Sequence, residues 1–371
     1  MPLRRQLVGF IAVIQSVLFL AHFFIYETWV FALEGTGVAR SFGTALALGA
    51  LSISFVTASL LAFRYTNPVV RGLYKLSAVW MGLLSFLLFG AIGAWTIFGA
   101  SRLMGVDLNF HWIVEILFAL AMALGAVGLL NAGCTRITRA TVRLANLPET
   151  WRGRRAALVS DLHLGHVRNN GFLRRIVASI LNEEPDTVFI VGDLFDGTAI
   201  DALQAAEPLK QLVAPQGVYF VAGNHEQFRS DGKFLDAVAA AGVRVLNDEK
   251  VEVDGLQIVG VSYRNAVHRS RFGSLLNALG IEQARASVLL THAPDHPDIA
   301  EAAGVSMQVS GHTHLGQFVP WSWIARRVYR QFVYGLSRIG RMMVFTSSGA
   351  GTWGPPLRLG SNPEIVLLEF Q

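Results

Sequence analysis

Four long apolar runs occupy the first third of the chain, and no other feature limits its folding so strongly. They are LVGFIAVIQSVLFLAHFFIYETWVFAL (7–33), FGTALALGALSISFVTASLLAF (42–63), LSAVWMGLLSFLLFGAIGAWTIFGA (76–100) and WIVEILFALAMALGAVGLLN (112–131). The second and third contain no charged residue. About 20 apolar residues are needed for a helix to cross the hydrocarbon core, so each run suffices. Buried helices of a large soluble core would not need uncharged runs of this length. Composition agrees, with 52% hydrophobic and 15% charged residues and a mean hydropathy of +0.43. Soluble domains carry about 25% charged residues. Arg4 and Arg5 precede the first run as in a signal peptide. The run is long for such a segment, however, and lacks a clear small-x-small cleavage site.

Loop charges set the expected orientation. Arg4 and Arg5 lie before the first run, Arg64, Arg71 and Lys75 between the second and third. Arg136, Arg139, Arg143, Arg152, Arg154 and Arg155 follow the fourth, whereas the other loops hold only Arg40 and Arg102, beside Glu34 and Asp107. The basic loops therefore share one side. That side is expected to be the cytoplasm, with the chain in a bacterial inner (plasma) membrane. Gln15, His22, Glu27 and Glu115 are the notable polar groups of the spans. They are few for a transport pathway, and Gly82, Gly90, Gly93, Gly125 and Gly128 suit close helix packing. The bundle reads as an anchor. The single cysteine, Cys134, excludes an internal disulfide and fits a reducing compartment. A net charge of +5 and a pI near 9.6 point to an anionic partner: a membrane surface, a nucleic acid or a phosphorylated substrate.

From residue 155 short β-type runs alternate with helical stretches. Strands are expected at 156–160, 187–191, 217–223, 243–246, 251–253, 256–261, 286–291, 306–310, 342–346 and 364–370. Repeated strand–helix units imply an α/β domain, in which ligands bind beyond the carboxyl ends of the strands. The polar residues gather there. SDLHLGH supplies Asp161 and His163, GDLFDG supplies Asp193 and Asp196, and GNHEQ supplies Asn224, His225 and Glu226. THAPD supplies His292, and GHTH supplies His312 and His314.

Carboxylates and imidazoles together suit first-row divalent metals, and the lack of thiolates argues against a closed structural zinc site. Seven ligands are too many for one ion. One shared carboxylate makes them two sets of four, and paired metals about 3.5–4 Å apart are the usual clamp for displacement at phosphorus. Two divalent ions against Asp161 and Asp193 leave a positive site for a phosphate anion.

In series, D161-x-H163, G192-D193-x-x-D196, G223-N224-H225-E226, H292 and G311-H312-x-H314 resemble the calcineurin-like metallophosphoesterase signature. The resemblance covers about 155–371. Its closing stretch, SSGAGTWGPPLRLGSNPEIVLLEF, is similar to a branch of membrane-associated bacterial enzymes that includes UDP-2,3-diacylglucosamine hydrolases. It implies a β-sandwich flanked by helices and two divalent metal ions, with Mn, Fe and Zn all compatible. By the resemblance, one ion is held by Asp161, His163, Asp193 and His314. The other is held by Asp193, Asn224, His292 and His312, and Asp193 bridges. His225 is the outer-sphere group that steadies the transition state or protonates the leaving oxygen.

Other residues carry weaker expectations. Asp196 shapes its turn or orients a neighbour, and Glu226 is either behind the ligands or exposed. His166 and Arg168 either touch substrate phosphate or sit in a solvated loop. Arg264, His268, Arg269 and Arg271 read as a basic solvated loop. The insertion 318–341 mixes Trp321, Trp323, Tyr329, Phe332 and Tyr334 with Arg326, Arg327, Arg330 and Arg338. It suits lipid headgroups or an acyl-chain cap more than nucleic acid, with a packed hairpin as the plainer alternative.

The expected architecture is thus a four-span α-helical membrane bundle (1–131), a basic juxtamembrane linker (132–154) and an α/β metallophosphoesterase domain (155–371). The expected function is metal-dependent hydrolysis of a phosphodiester or pyrophosphate, such as UDP-2,3-diacylglucosamine. The expected partners are that phosphate-bearing, lipid-linked substrate and membrane lipids, without nucleic acid. A phosphomonoesterase, a phosphoprotein phosphatase and a non-catalytic metal-binding scaffold are the rival readings.

Overall fold

The computed structural model describes residues 2–34, 42–228 and 232–371. Arg40, one of the loop charges, lies outside the described residues. The chain divides into two compact units: Met1–Leu130 with Gly354–Leu357, and Asn131–Trp353 with Arg358–Gln371.

The first unit contains α1 (Pro2–Leu33), α2 (Phe42–Ala62), α3 (Pro68–Leu103) and α4 (Phe110–Asn131). All four are long and apolar enough to cross a membrane. Asn67 caps α3 by accepting from Val70 N (2.9 Å), and Pro68 follows at the first helical position, where its missing N–H costs nothing. Three pairs of polar side chains and carbonyls link neighbouring spans. Trp80 Nε1 donates to His22 Nε2 (2.8 Å), Trp95 Nε1 to Thr28 Oγ1 (3.0 Å) and Gln15 Nε2 to Ser52 O (2.9 Å). A Cβ on Gly125 would stand 2.2 Å from Leu83 Cδ2. That glycine is there to let two helices approach.

The second unit is built on two six-stranded sheets. In chain order its elements are β1 (Arg136–Val142), β2 (Arg155–Val159), α5 (Asn170–Leu181), β3 (Thr187–Val191), α6 (Ala202–Ala206), β4 (Val218–Val221), α7 (Lys233–Ala240), β5 (Arg244–Val245), β6 (Glu249–Val253), β7 (Leu256–Val261), α8 (Tyr263–Ala266), α9 (Arg269–Ala278), β8 (Ser287–Thr291), α10 (Pro297–Ala302), β9 (Met307–Ser310), α11 (Trp321–Tyr329), β10 (Gly335–Ile339), β11 (Met342–Thr346) and β12 (Glu364–Phe370). One sheet has the order β1-β12-β2-β3-β4-β5, the other β10-β11-β9-β8-β7-β6.

The sheets pack face to face through Leu158, Phe189, Val191, Val221, Ile258, Leu290 and Val309, among others. The outer face of the first sheet packs on Phe172, Leu173 and Ile176 of α5 and Phe234 and Val238 of α7. The outer face of the second packs on Phe272 and Leu276 of α9 and Ala300 of α10. Helices therefore flank a β-sandwich. Because both faces of β3 and β8 are covered, TVFIV and SVLLT are apolar almost throughout and every residue is buried. Strands β2, β3 and β4 are parallel neighbours, as are β7, β8 and β9. Their following loops emerge at one end of the sandwich, where the site assembles.

Three stretches differ from the sequence expectation. Residues 136–142, inside the expected linker, form the edge strand β1, parallel to β12 from Arg136↔Glu364 to Val142↔Phe370. The expected linker also holds Trp151, which is fully buried and donates Nε1–H to Val253 O (2.8 Å). Residues 263–273, expected as a basic loop, form α8 and the first half of α9, where Arg269 pairs with Asp298. The insertion 318–341 contributes a helix, α11, and an edge strand, β10, paired antiparallel to β11.

Candidate metal centre

The residues singled out at the strand ends converge. Asp161 and His163 follow β2, Asp193 follows β3, Asn224 and His225 follow β4, His292 follows β8, and His312 and His314 follow β9. Asp161, His163, Asp193, His312 and His314 all have positive φ, between 49° and 70°. Non-glycine residues in this region are uncommon and strained, and five within one site mark a locally enforced geometry. The neighbouring glycines make room for it. A Cβ on Gly311 would stand 2.4 Å from Asp161 Oδ2, and one on Gly223 would stand 2.1 Å from Asp193 Oδ1.

Three groups have ligand atoms all within 4.8 Å of one another: Asp161/His163/His314, His163/Asp193/His225 and Asp193/His292/His312. His163 Nε2 is 3.1 Å from His314 Nε2, and His314 Nε2 is 3.4 Å from Asp161 Oδ1. On the other side, His312 Nδ1 lies 3.0 Å from His292 Nε2. His292 Nε2 in turn lies 3.1 Å from both Asn224 Oδ1 and Asp193 Oδ2. Asp193 Oδ2 also stands 3.8 Å from His163 Nε2, between the two groups. Two ligand atoms about 2.1 Å from one ion and roughly 90–110° apart stand about 3.0–3.4 Å from each other. The observed separations fit that spacing, and the donors are the oxygen and imidazole types that suit first-row divalent ions.

The electrostatics favour cation binding. Burial holds His163 well below the ordinary imidazole range, and the nearby His225 adds to the effect. Burial does the same to His314, helped by the Arg358 charge, and lowers His312 to about 4. All three keep a lone pair free at neutral pH. His292 differs. Burial alone would lower it, but the Asp193 carboxylate outweighs that and raises it to about 10. Burial alone would raise Asp193, but His292 above all pulls it below the usual carboxylate range. A bound cation would displace the proton between them. The Nδ1 atoms are also set. Val191 O lies 2.8 Å from His292 Nδ1 and Asp196 O lies 2.8 Å from His225 Nδ1. A carbonyl only accepts, so each Nδ1 carries its proton and each Nε2 faces the cluster.

Several residues read only weakly from sequence acquire definite places. Asp196 Oδ1 accepts from Thr198 N (2.8 Å), which shapes the turn that presents its carbonyl to His225. His166 is buried. Arg168 donates to Ala132 O (2.6 Å) and lies 4.7 Å above the Phe172 ring. Arg358, Trp353 and Tyr263 escaped sequence reasoning because they belong to no spaced motif, and Tyr329 reads there only as an aromatic of the 318–341 insertion. Arg358 is fully buried and donates to His314 O (2.9 Å) and Gly351 O (2.7 Å). Trp353 is exposed, and its ring lies 5.9 Å from that of His225. Tyr263 and Tyr329 lie 5.6 Å and 6.1 Å from the His312 ring.

Glu226 is buried, not exposed. Oε2 accepts from Asp193 N (2.9 Å) and Gly223 N (2.7 Å), and Oε1 accepts from Phe195 N (3.1 Å). One carboxylate thus ties two ligand-bearing loops together. Burial and the Asp193 charge push it up to about 7. Glu226→Gln turns an amide NH₂ toward at least one of those N–H donors. The variant is expected to lose about 1–3 kcal/mol of stability and to bind metal roughly 10–100-fold more weakly. Chelator competition reads the second effect, and unchanged metal affinity would refute the positioning role.

A family model described as calcineurin-like phosphoesterase matches residues 154–316. A transmembrane protein with metallophosphoesterase domain from Danio rerio is 30% identical over 321 residues, covering 77% of this chain and 73% of that protein. An uncharacterized metallophosphoesterase from Campylobacter jejuni is 26% identical over 275 residues, covering 71% of this chain and 72% of its own length. Another from Aquifex aeolicus is 30% identical over 259 residues, covering 68% of this chain and 98% of its own. The four apolar helices and the transmembrane relative make this a membrane protein. The fold implies a dinuclear divalent metal site, and the clustered Asp and His side chains fit it. The chain belongs to the calcineurin-like phosphoesterase family and is a metal-dependent phosphoric ester hydrolase.

Proposed function

We propose that the protein hydrolyses a phosphodiester or pyrophosphate bond carried by a membrane lipid, of the chemical type of UDP-2,3-diacylglucosamine. The observation that carries the chemistry is the pair of ligand clusters joined at Asp193 Oδ2, 3.1 Å from His292 Nε2 and 3.8 Å from His163 Nε2. One cation would be held by Asp161, His163, Asp193 and His314, the other by Asp193, Asn224, His292 and His312. When bound, the two ions supply Lewis acidity and an activated water for attack at phosphorus. The chain's own residues do the rest. Glu226 and Gly223 fix the loop that carries Asn224 and His225. In its imidazolium form, with Nδ1–H on Asp196 O, His225 would donate its Nε2 proton to the leaving oxygen and return to the neutral ring. The lipid part of the reading is supported by the four spans and by the aromatic and arginine side chains of 318–341.

The test uses the full chain in detergent, stripped of metal and restored with Mn²⁺. Hydrolysis of UDP-2,3-diacylglucosamine is followed beside bis-p-nitrophenyl phosphate. Metal-dependent cleavage of the lipid at the higher rate is the expected result. Cleavage of the generic diester alone would discard the lipid substrate and keep the phosphoesterase.

The catalytic domain faces the cytoplasm in this reading, because the basic loops share its side. Cys134 is the only cysteine and is exposed. In intact bacterial cells expressing the chain, a membrane-impermeant maleimide should leave Cys134 unlabelled until the inner membrane is permeabilised. Labelling in intact spheroplasts would reverse the orientation.

A further inference from the structure

Helix α11 carries an apolar face that the domain leaves uncovered. Ser322, Ala325 and Tyr329 form its inward stripe: Ser322 is buried and the other two are half-buried. Trp321, Ile324 and Val328 repeat the same spacing but are 53%, 50% and 63% exposed. At about 100° per residue the second stripe lies about 100° around the helix from the first. Trp323, 61% exposed, stands between Arg326 and Arg327 on the remaining side. Arg326, Arg327, Arg330 and Arg338 are exposed and make no ion pair with any described residue.

Charge and shape together select the occupant. Large apolar side chains on one helix face, with the unpaired Arg327 along one edge, match the acyl–headgroup boundary of a bilayer. Tryptophan is enriched at that depth. Ile324 and Val328 have no ring to stack on a base, which disfavours single-stranded nucleic acid. Only residues 132–135 separate α4 from β1 in the chain, so a bilayer is present at high local concentration for any lipid-seeking surface.

We propose that the Trp321–Ile324–Val328 face of α11 docks into the anionic surface of a lipid bilayer, with Arg327 at its edge on the headgroups. Docking would bring the bilayer surface to the metal cluster, because the Tyr329 ring closing α11 lies 6.1 Å from His312. That consequence rests on the proposed lipid-borne substrate; the docking itself does not.

The experiment places the full chain, with Cys134→Ser, in nanodiscs of phosphatidylcholine with or without phosphatidylglycerol. A nitroxide is attached at Ile324→Cys and, as a control, at the exposed Asn277→Cys on α9. Collision with oxygen and with a water-soluble nickel chelate reports depth. The nitroxide at 324 should favour oxygen over nickel by several-fold relative to 277, and phosphatidylglycerol should strengthen this. Arg327→Gln should lower the ratio of docked to undocked protein about fivefold, the share of one basic side chain at an anionic surface, whereas Arg326→Gln, on the opposite side of the helix, should leave it unchanged. Water-like nickel access at 324 in both lipids would overturn the proposal. So would shielding from both reagents with dipolar broadening, which marks a second copy of the chain. A lipid signature indifferent to phosphatidylglycerol would overturn the anionic surface. No turnover is read, so a failed phosphoesterase assay would leave this result standing.

Discussion

Asp193→Ala is expected to lower kcat/KM by on the order of 10³-fold and to release metal from both positions. Its Oδ2 faces His292 and His163 from between the two ligand groups, the place of the proposed bridge. Its Oδ1 accepts the backbone N–H of His225 (2.9 Å). The substitution therefore removes the bridge and unties His225 at once. A Lewis acid at phosphorus contributes several kcal/mol to the transition state, and each ~1.4 kcal/mol is a factor of ten in rate. Asp161→Ala is the comparison. Asp161 Oδ1 is 3.4 Å from His314 Nε2, so its loss should loosen the metal position beside His163 and His314 and spare the other. Metal content by mass spectrometry, measured with turnover in excess Mn²⁺, separates the two variants. An Asp193→Ala protein that keeps both metals and full rate would remove the binuclear reading altogether.

Much of this site was legible because its chemistry sits at ends of strands that are themselves legible. TVFIV, LQIVGV, MMVFT and EIVLLEF are buried on both faces or nearly so, and their apolar runs coincide with β3, β7, β11 and β12. Two edge strands, β1 and β10, were hidden for the opposite reason. RITRATV interleaves arginines with small residues, and what makes it β1 is its register against β12, a partner more than two hundred residues away. GLSRI becomes β10 in the same way, through β11. Glu226 shows the limit at the site. Its place beside His225 was visible, but two of its three donors, Asp193 N and Phe195 N, come from the loop after β3. Trp353, Tyr263 and Tyr329 reach the cluster from a loop, the start of α8 and the end of α11, so only tertiary packing brings them there.

His225 gives the second large effect, and the leaving group decides how it is read. Its Nδ1 proton is held by Asp196 O, and its ring stands edge-on to His163 at 4.8 Å. Nε2 lies 3.8 Å from Asp193 Oδ2, at the edge of the cluster. If Nε2 delivers a proton to the departing oxygen, His225→Asn should cost roughly 10²–10⁴-fold with an alkyl alcohol leaving group, the usual range for a general acid. p-Nitrophenolate departs without a proton, so the same variant should lose far less on bis-p-nitrophenyl phosphate. Metal content should stay at the wild-type level. Equal losses on both substrates would assign His225 to stabilising charge on the phosphoryl oxygens, which does not depend on the leaving group. Loss of metal would make His225 a ligand, a role its nearness to His163 and Asp193 permits. The pair of substrates therefore separates proton transfer from electrostatics at one imidazole, and the metal assay separates both from coordination.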